Sequence, residues 1–246
     1  MTIPLKITVL VRKVLARFIY YGLPAPFIEK EMYFLKRIIK PNDTVMDIGA
    51  NIGIYTVYLS KIVGTNGHVY SLEPYGPTYN ILKRMVEKLN LKNCKVINAA
   101  VGDSQSNVSL DLPLTKSGRV NDTYVHIKED RNGQIQMTTV DEIVDKNSIA
   151  GLNFIKIDVE GYEFFVLKGA EMTIRVHKPV ILIEIQDEWT KRYGKKKKEI
   201  FHLLQESYGY RPYVLDNENL IPAQVNDTLH NNFFFFPNDV KLDKLR

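Results

Sequence analysis

Apolar and polar positions alternate in blocks along most of the chain, and these blocks predict strands that alternate with helices. Segments typical of strands lie at residues 45–49, 68–74, 94–103, 152–161, 179–185, 211–216 and 231–237, and 179–185 is the most continuously apolar of them, as expected for a buried parallel strand. Apolar residues with helical spacing lie between them, at 52–63, 78–91, 162–178 and 196–209. This order predicts an α/β fold built on a parallel sheet.

Two stretches depart from the alternation. Residues 104–138 hold short alternating pieces around polar turns, which predicts a β-hairpin insertion. After the insertion, Thr139 and Glu142 have the spacing of a helix capping box. We therefore predict an N-terminal helical extension at 1–40 and one domain at 41–246 that carries the insertion.

The composition is that of a soluble globular chain. Hydrophobic residues make up 45% and charged residues 25% of the 246 residues, which excludes a disordered tail, a collagen-like repeat and a disulfide scaffold. One cysteine, Cys94, and no recognisable secretory signal predict a cytoplasmic location.

Basic charge, +5 net, concentrates in two segments. Residues 1–28 carry four basic residues and no acid, and residues 191–198 read KRYGKKKK. The basic residues interrupt the N-terminal apolar stretch too often for a spanning helix. We expect this stretch to pack on its own domain, with peripheral contact of residues 1–21 with an anionic membrane as the alternative.

The strongest chemical signal is DIGANIG at 47–53, between a strand and a helix. Its glycines, Gly49 and Gly53, lack the GxGxxG spacing that a dinucleotide pyrophosphate requires. A carboxylate at Asp47 suits the ammonium group of S-adenosylmethionine. Glu73, at the end of the next strand, is positioned to accept hydrogen bonds from both ribose hydroxyls. We therefore predict S-adenosylmethionine rather than a dinucleotide as the cofactor.

Acids also mark the ends of later strands, at Asp158 and Glu184. Ligands of such sheets bind at the carboxyl edge. Charged side chains within buried strands are energetically costly unless they are paired or bind a ligand. Lys156, Asp158 and Glu160 alternate along one strand and are predicted to share a face. The structural alternative is an ion pair of Lys156 with Asp158 or Glu184 that holds the strand ends together.

Five motifs together resemble the FkbM family of S-adenosylmethionine-dependent methyltransferases. They are DIGANIG, SLEP, NAAVGD, TTVDEIV and FIKIDVEGYEFFVLKGA, and the resemblance runs from about Asp43 to Glu184. The IDVEGxE part is the most specific. The resemblance implies a Rossmann-like, seven-stranded methyltransferase sheet, mostly parallel with an antiparallel last strand. It also implies O-methylation of sugar or polyketide hydroxyls.

The resemblance also implies roles for individual residues. The methionine end of the cofactor would contact Asp47, Gly49, Asn51 and Gly53, and the ribose would contact Glu73. The adenine would lie along Ala99, Ala100 and Val101, and the methyl group would lie near Asp158.

Methyl transfer to a hydroxyl benefits from a general base, for which Asp158, Glu160 and Glu184 are the available carboxylates. The sequence does not choose among them. The same three could hold Mg²⁺, although the sequence does not require a metal. The five histidines show no paired metal-ligand spacing, and we expect surface or edge positions, with His126 and His230 as the reachable ones.

The segment after the fifth strand is predicted to bind the acceptor, through Trp189, Tyr193, Lys195 and Lys196. An indole can stack on a sugar ring. Lysines near a helix start, where the macrodipole favours acids, favour an anionic or lipid-phosphate-linked glycan. The alternative for Lys195 to Lys198 is a solvated charge run.

The expected function is O-methylation of a sugar or glycan hydroxyl. RNA ribose 2′-O-methylation and methylation of a small polyketide-type hydroxyl are the alternatives, and no DNA partner is expected. RNA is disfavoured because no basic-aromatic RNA-binding module is visible. A binding module without activity and a nicotinamide-dependent dehydrogenase are disfavoured by the intact acids and by the missing GxGxxG, respectively.

Overall fold

The structure, a computed structural model, describes residues 29–114, 120 and 125–242. Residues 1–21, which are expected to pack on the domain with membrane contact as the alternative, lie outside these residues. From the predicted extension, the described part contains one helix, α1 (Lys30–Ile38). Within the described residues, no helix combines the length and the apolar character that a membrane crossing needs.

The described residues form twelve strands and eight helices. The strands are β1 (Thr44–Ile48), β2 (His68–Leu72), β3 (Cys94–Ile97), β4 (Ala100–Val101), β5 (Ser106–Asp111), β6 (His126–Glu129), β7 (Ile135–Thr138), β8 (Phe154–Ile157), β9 (Val180–Glu184), β10 (Tyr210–Asp216), β11 (Asn219–Pro222) and β12 (Asn232–Pro237). The helices after α1 are α2 (Ile54–Val63), α3 (Gly76–Lys88), α4 (Val140–Lys146), α5 (Glu163–Lys168), α6 (Glu171–His177), α7 (Asp187–Thr190) and α8 (Lys197–His202). A 3₁₀ turn at Lys191–Tyr193 and a π turn at Leu203–Ser207 complete the elements.

The main sheet has the order β11-β10-β12-β9-β8-β1-β2-β3. Strands β9, β8, β1, β2 and β3 are mutually parallel, and β12 runs antiparallel to both of its neighbours. The Rossmann-like methyltransferase fold is therefore confirmed. The sheet has eight strands rather than seven, because β11 turns back on β10 through Asn217, whose φ is 52°.

Two apolar layers cover the faces of this sheet. Helices α1, α2 and α3 pack on the face that contains Val45 and Phe154. Helices α4, α5, α6 and α8 pack on the face that contains Met46 and Ile155. Successive strand residues thus enter opposite layers, which is why both faces of β8 and β9 are apolar. The exception on β8 is Lys156, which shares the face of Phe154.

The insertion forms a second sheet, with the order β4-β7-β5-β6. This sheet is larger than the predicted hairpin because it also takes in Ala100–Val101, ahead of residue 104. Arg192 Nη1 lies 3.0 Å from Asp111 Oδ2, and the Tyr193 hydroxyl donates to the Ile127 carbonyl at 2.8 Å. These contacts attach the insertion to the segment that follows β9.

The predicted helix at 162–178 is two helices, α5 and α6, separated at Gly169. A Cβ at Gly169 would lie 1.9 Å from the Gly102 carbonyl oxygen. The break therefore coincides with a close backbone approach to the loop after β4. By contrast, the predicted cap of α4 is present, since Thr139 Oγ1 accepts from the Glu142 N–H at 3.0 Å.

Candidate active site

The glycine loop after β1 packs too closely for side chains at two positions. Gly49 has φ +80°, and a Cβ there would lie 1.7 Å from the Asp158 carbonyl oxygen. Gly53 has φ +92°, and a Cβ there would lie 2.5 Å from Leu82 Cδ1. The loop is therefore held between the end of β8 and helix α3, a contact that only glycine permits.

All five backbone N–H groups of residues 49–53 donate within the protein. The acceptors are the Leu72 carbonyl for residues 49 and 50, the Glu73 carboxylate for residue 51, the Asn51 side chain for residue 52 and the Ala50 carbonyl for residue 53. A pyrophosphate is normally bound by free N–H groups at such a loop. The geometry therefore agrees with the prediction that the loop is not a dinucleotide site.

Glu73 lies at the carboxyl end of β2 and is 6% exposed. Its two carboxylate oxygens accept from the backbone N–H groups of Asn51 and Tyr75, both at 2.9 Å. Burial raises its pKa to about 7. Each carboxylate oxygen has a second lone pair, so Glu73 can still accept from hydroxyl groups of a ligand.

Asp47 lies beneath the loop and has no exposed surface. Its Oδ2 accepts from Thr56 Oγ1 at 2.7 Å, whereas its Oδ1 is buried with no hydrogen-bond partner in the part of the chain that the structure describes. Burial raises its pKa, and the neighbouring Lys156 opposes this shift. The contact of Asp47 with the methionine end of a cofactor stays a prediction, and Oδ1 is the atom available for it.

Three carboxylates meet at the carboxyl ends of β8 and β9, as predicted. Asp158 Oδ2 lies 2.8 Å from Lys156 Nζ. Burial raises the pKa of Glu160 to about 8, with Asp158 and Glu184 adding like-charge repulsion. Burial likewise raises the pKa of Glu184 to about 7, with Asp158 adding to the shift. The pKa values of Glu160 and Glu184 therefore both lie near neutral pH.

Glu160 does not share a strand face with Lys156 and Asp158, so that prediction is wrong. Strand β8 ends at Ile157, and Glu160 adopts φ 53°, in the left-handed region. A non-glycine residue in that region stores backbone strain, which is frequent at functional sites. The next residue, Gly161, has φ +105°, and a Cβ there would lie 2.5 Å from the Trp189 carbonyl oxygen.

Glu163 holds this loop and was not singled out from the sequence. It is 2% exposed, and its Oε1 accepts from the Gly161 N–H at 2.9 Å. Its Oε2 is buried with no hydrogen-bond partner among the described residues. The repeated acid in the EGYE motif was the available signal, since the second acid clamps the turn that carries the first.

His126 lies on β6, at the edge of the second sheet, but its side chain is buried, at 1% exposure, so it is not a surface residue. Its Nδ1 lies 3.1 Å from the Glu160 carbonyl oxygen, and its ring centroid lies 5.0 Å from that of Trp189. Since a carbonyl only accepts, Nδ1 carries the hydrogen. Burial lowers the pKa of His126. The insertion thereby contacts both the Glu160 turn and the predicted acceptor side.

The lysine run does not form one charged patch. Lys195 Nζ lies 3.2 Å from Glu199 Oε1 and 4.1 Å from the ring centroid of Phe164. Lys197 is 7% exposed, and its Nζ donates to the Asp227 carbonyl at 2.7 Å. Lys196 and Lys198 are exposed.

The start of α8 is stabilised from within the chain. Glu199 Oε2 accepts from the Lys196 N–H at 3.0 Å, and Asp187 Oδ1 accepts from the Lys197 N–H at 3.2 Å. These carboxylates provide the negative charge that the helix dipole favours at this end. The helix start therefore gives no support to the prediction of an anionic partner for the lysines.

A family model described as the methyltransferase FkbM domain matches residues 47–212. The chain belongs to the FkbM methyltransferase family. By family it is a methyltransferase enzyme, and its sheet order and glycine loop are those of the methyltransferase fold.

One curated relative is the hexuronic acid methyltransferase AglP of Haloferax volcanii, which is 28% identical over 171 residues. The match covers 68% of this chain and 63% of AglP, so the chain spans less than two thirds of that relative.

Two solved structures share the fold. The FkbM methyltransferase from Methylobacillus flagellatus KT has a TM-score of 0.53 and 19% identity, over 88% of this chain and 49% of that one. An O-methyltransferase from Bacillus cereus in complex with SAH has a TM-score of 0.51 and 15% identity, over 96% of this chain and 92% of that one.

The remaining predicted site residues of this FkbM chain are buried or partly buried. Ala99, Ala100 and Val101 are 6%, 1% and 2% exposed. Tyr193 uses its hydroxyl to hold Ile127. Their contacts with adenine and acceptor stay predictions. In the described residues, no group of three or more histidine, cysteine, aspartate or glutamate side chains has the geometry to hold a metal ion.

His230 also has hydrogen-bond partners within the protein. Its Nδ1 lies 3.0 Å from Asp227 Oδ2, and the same carboxylate accepts from the His230 N–H at 3.1 Å. The pair lies just before β12, whose Asn232 is opposite Glu184 in the sheet register. A histidine three residues after an aspartate was the only sequence signal for it.

Proposed function

We propose that this FkbM chain transfers a methyl group from S-adenosylmethionine to a hydroxyl group of a sugar or glycan. The observation that carries the proposal is the pair of carboxylates Glu160 and Glu184, whose pKa values are raised to about 8 and about 7. They lie at the sheet edge next to the glycine loop. The name of AglP, a hexuronic acid methyltransferase, supports a sugar acceptor.

The residues beside the loop fit S-adenosylmethionine. Glu73 offers free lone pairs for two hydroxyl groups, and the buried, unpartnered Oδ1 of Asp47 suits a cationic group. Gly49 and Gly53 keep the loop compact enough for a ligand to approach its backbone. When bound, S-adenosylmethionine supplies an electrophilic methyl group on a positively charged sulfur.

The chain's own contribution is to orient the acceptor and to receive its proton. A hydroxyl becomes a good nucleophile only as its proton leaves, and a base works best when its pKa is near the working pH. Glu160 and Glu184 meet that condition. Asp158, fixed by Lys156, is the third carboxylate in reach. Correct alignment of the two reacting atoms supplies much of the remaining rate.

The acceptor is proposed to enter beside Trp189, whose ring lies against His126 and whose backbone lies against Gly161. An indole face at this position suits the apolar face of a sugar ring. Because Lys195 and Lys197 are already engaged, the proposal requires neither a phosphate nor a lipid-linked acceptor.

A labelled-methyl assay tests this function. The protein is incubated with labelled S-adenosylmethionine and separate panels of neutral sugars, uronic acids, nucleotide sugars, RNA and small polyketide-type alcohols. We expect label in a sugar or glycan. Label in RNA or in a polyketide-type alcohol alone would replace the proposed acceptor class by that one.

Two controls make the assay decisive. Glu160→Gln should abolish most transfer, whereas Glu87→Gln, at an exposed position of α3, should not. Thermal shifts with S-adenosylmethionine, S-adenosylhomocysteine and NAD test the cofactor independently of the acceptor. Stabilisation by NAD alone would overturn the proposal.

A further inference from the structure

Lys156 is a buried cation on the central strand β8, and it pairs with a carboxylate of the proposed site. It is 4% exposed, with β1 on one side and β9 on the other. A charged group at such a place is costly unless it is paired and hydrogen-bonded. The neighbours that stabilise its charge therefore need to be identified.

Its ammonium group has two direct contacts. Lys156 Nζ lies 2.8 Å from Asp158 Oδ2 and 4.5 Å from the ring centroid of Tyr55. The Tyr55 hydroxyl in turn donates to Glu29 Oε2 at 2.5 Å. The ammonium is thus fixed from two sides, by a carboxylate and by an aromatic face.

Acids face Lys156 from each neighbouring element. They are Asp47 on β1, Asp158 after β8, Glu160 in the following turn, Glu184 on β9 and Glu29 ahead of α1, with the Tyr55 phenol on α2. Burial by itself lowers the pKa of Lys156, and Asp158 and Asp47 more than reverse this, so the group stays charged.

The ion pair is asymmetric in its exposure. The Lys156 side chain is 5% exposed, whereas the Asp158 side chain is 30% exposed. A pair with a purely structural role can often be replaced by apolar residues without loss. Here the cation is enclosed, whereas its carboxylate partner is partly exposed, so the lysine would influence a bound ligand through Asp158.

We propose that Lys156 is a positioning residue for methyl transfer, which fixes the Asp158 carboxylate and supplies a positive charge that the surrounding carboxylates share. Without it, Glu160 and Glu184 would have less opposing charge and would hold their protons to higher pH. Lys156 would thereby set the pH range in which a base is available. This role rests on the proposed function, although the charge effect itself is a property of the free protein.

Two variants remove the charge. Lys156→Met removes both the charge and the hydrogen bond to Asp158. Lys156→Gln removes the charge but keeps an amide that can donate to Asp158. Lys156→Arg keeps the charge. Lys178→Met is the matched control, since Lys178 pairs with Asp239 at 2.6 Å ahead of β9, at the opposite end of the sheet.

The first measurement does not depend on activity. Carboxyl carbons of the full chain, labelled with ¹³C in glutamate, are titrated by NMR, with Glu160→Gln and Glu184→Gln used for assignment. We expect the midpoints of Glu160 and Glu184 to rise by about one pH unit in Lys156→Met and Lys156→Gln. They should remain in place in Lys156→Arg and Lys178→Met. Unchanged midpoints in a folded Lys156→Gln would overturn the proposal.

The second measurement is the pH profile of kcat. With a carboxylate base the rate rises with pH, so loss of Lys156 should move the rising limb to higher pH by the same amount and lower kcat near pH 7. A lower kcat with an unmoved limb would show a structural role only. If the wild-type chain transferred no methyl group to any acceptor, the proposed function would fail while the NMR titration still decided the charge effect.

Discussion

The predicted cofactor side and the predicted acceptor side of the site are built in different ways. On the predicted cofactor side, the Gly49 N–H donates to the Leu72 carbonyl and the Asn51 N–H donates to the Glu73 carboxylate, contacts that follow from two short motifs. On the acceptor side, the Glu160 turn contacts His126 of the insertion and Trp189 after β9, which lie far apart in sequence. The first region can therefore be predicted from short sequence motifs, whereas the contacts of the second region form only when the chain folds.

The largest expected effect tests the acceptor side. Glu160→Gln or Glu184→Gln should lower kcat by about 10²–10⁴-fold, the usual range for loss of a general base, with cofactor affinity nearly intact. Asp158→Asn should impair both turnover and cofactor binding. Steady-state kinetics and calorimetry measure the two quantities. Full turnover in all three variants would mean that none of these carboxylates takes the proton.

The next effect tests the cofactor side. Glu73→Ala should weaken S-adenosylmethionine binding by about 1.5–3 kcal/mol, since charge-assisted hydrogen bonds of that strength are lost. Asp47→Ala should weaken it too and should also lower the melting temperature, because Asp47 is fully buried and holds Thr56. Calorimetry and thermal unfolding check this. Normal cofactor binding in both folded variants would move the cofactor site elsewhere.

A pH titration separates the two sides further. Burial raises the pKa of Glu73 to about 7, and its carboxylate accepts hydrogen bonds from hydroxyl groups best when it is ionised. Below that pH, Glu73 must therefore lose a proton before the cofactor binds. Affinity for S-adenosylmethionine should therefore fall by about tenfold per pH unit below 7. Glu73→Gln should bind more weakly and without this slope. A slope that persists in Glu73→Gln would assign it to another group.

A smaller effect tests the predicted stacking surface. Trp189→Ala should raise the acceptor KM about two- to tenfold, in line with the contribution of one aromatic contact, and leave the cofactor Kd unchanged. Trp189→Phe, which keeps an aromatic face, should recover part of the loss. If KM stays constant and only kcat falls, the indole supports the Glu160 turn through Gly161 and does not bind the acceptor.

The smallest effect concerns the exposed lysines. The double variant Lys196→Gln and Lys198→Gln should change the acceptor KM by about threefold at most, since exposed charges contribute little. The measurement is made at low and high salt. A large rise in KM that disappears at high salt would restore an anionic acceptor.

The order of strands and helices could be predicted because each local pattern agreed with its place in the sheet. Runs such as residues 179–185 are apolar on both faces, and the capping position of Thr139 is local. Strand β11 and the break at Gly169 were missed. One depends on pairing with β10, and the other coincides with the approach of the Gly102 backbone from a distant loop.

The same distinction between local patterns and contacts of distant segments applies to the candidate site. Asp158 and Glu184 could be placed at one edge because parallel strands bring their carboxyl ends together. The environment of His126 could not be predicted, since its partners are a carbonyl in the Glu160 turn and the ring of Trp189. The charge balance at the lysine run was misjudged because the adjacent Glu199 was left out of it and because Asp187 meets it only in the folded chain.

By itself the sequence determined the family, the methyltransferase fold and the motifs of the cofactor side, because those depend on hydrophobic periodicity and on residues close together along the chain. Only the tertiary structure decided the left-handed Glu160 turn, its clamp by Glu163 and the enclosure of Lys156 among acids. Burial and like-charge repulsion, which set the protonation of Glu160 and Glu184, arise from neighbours that folding brings together.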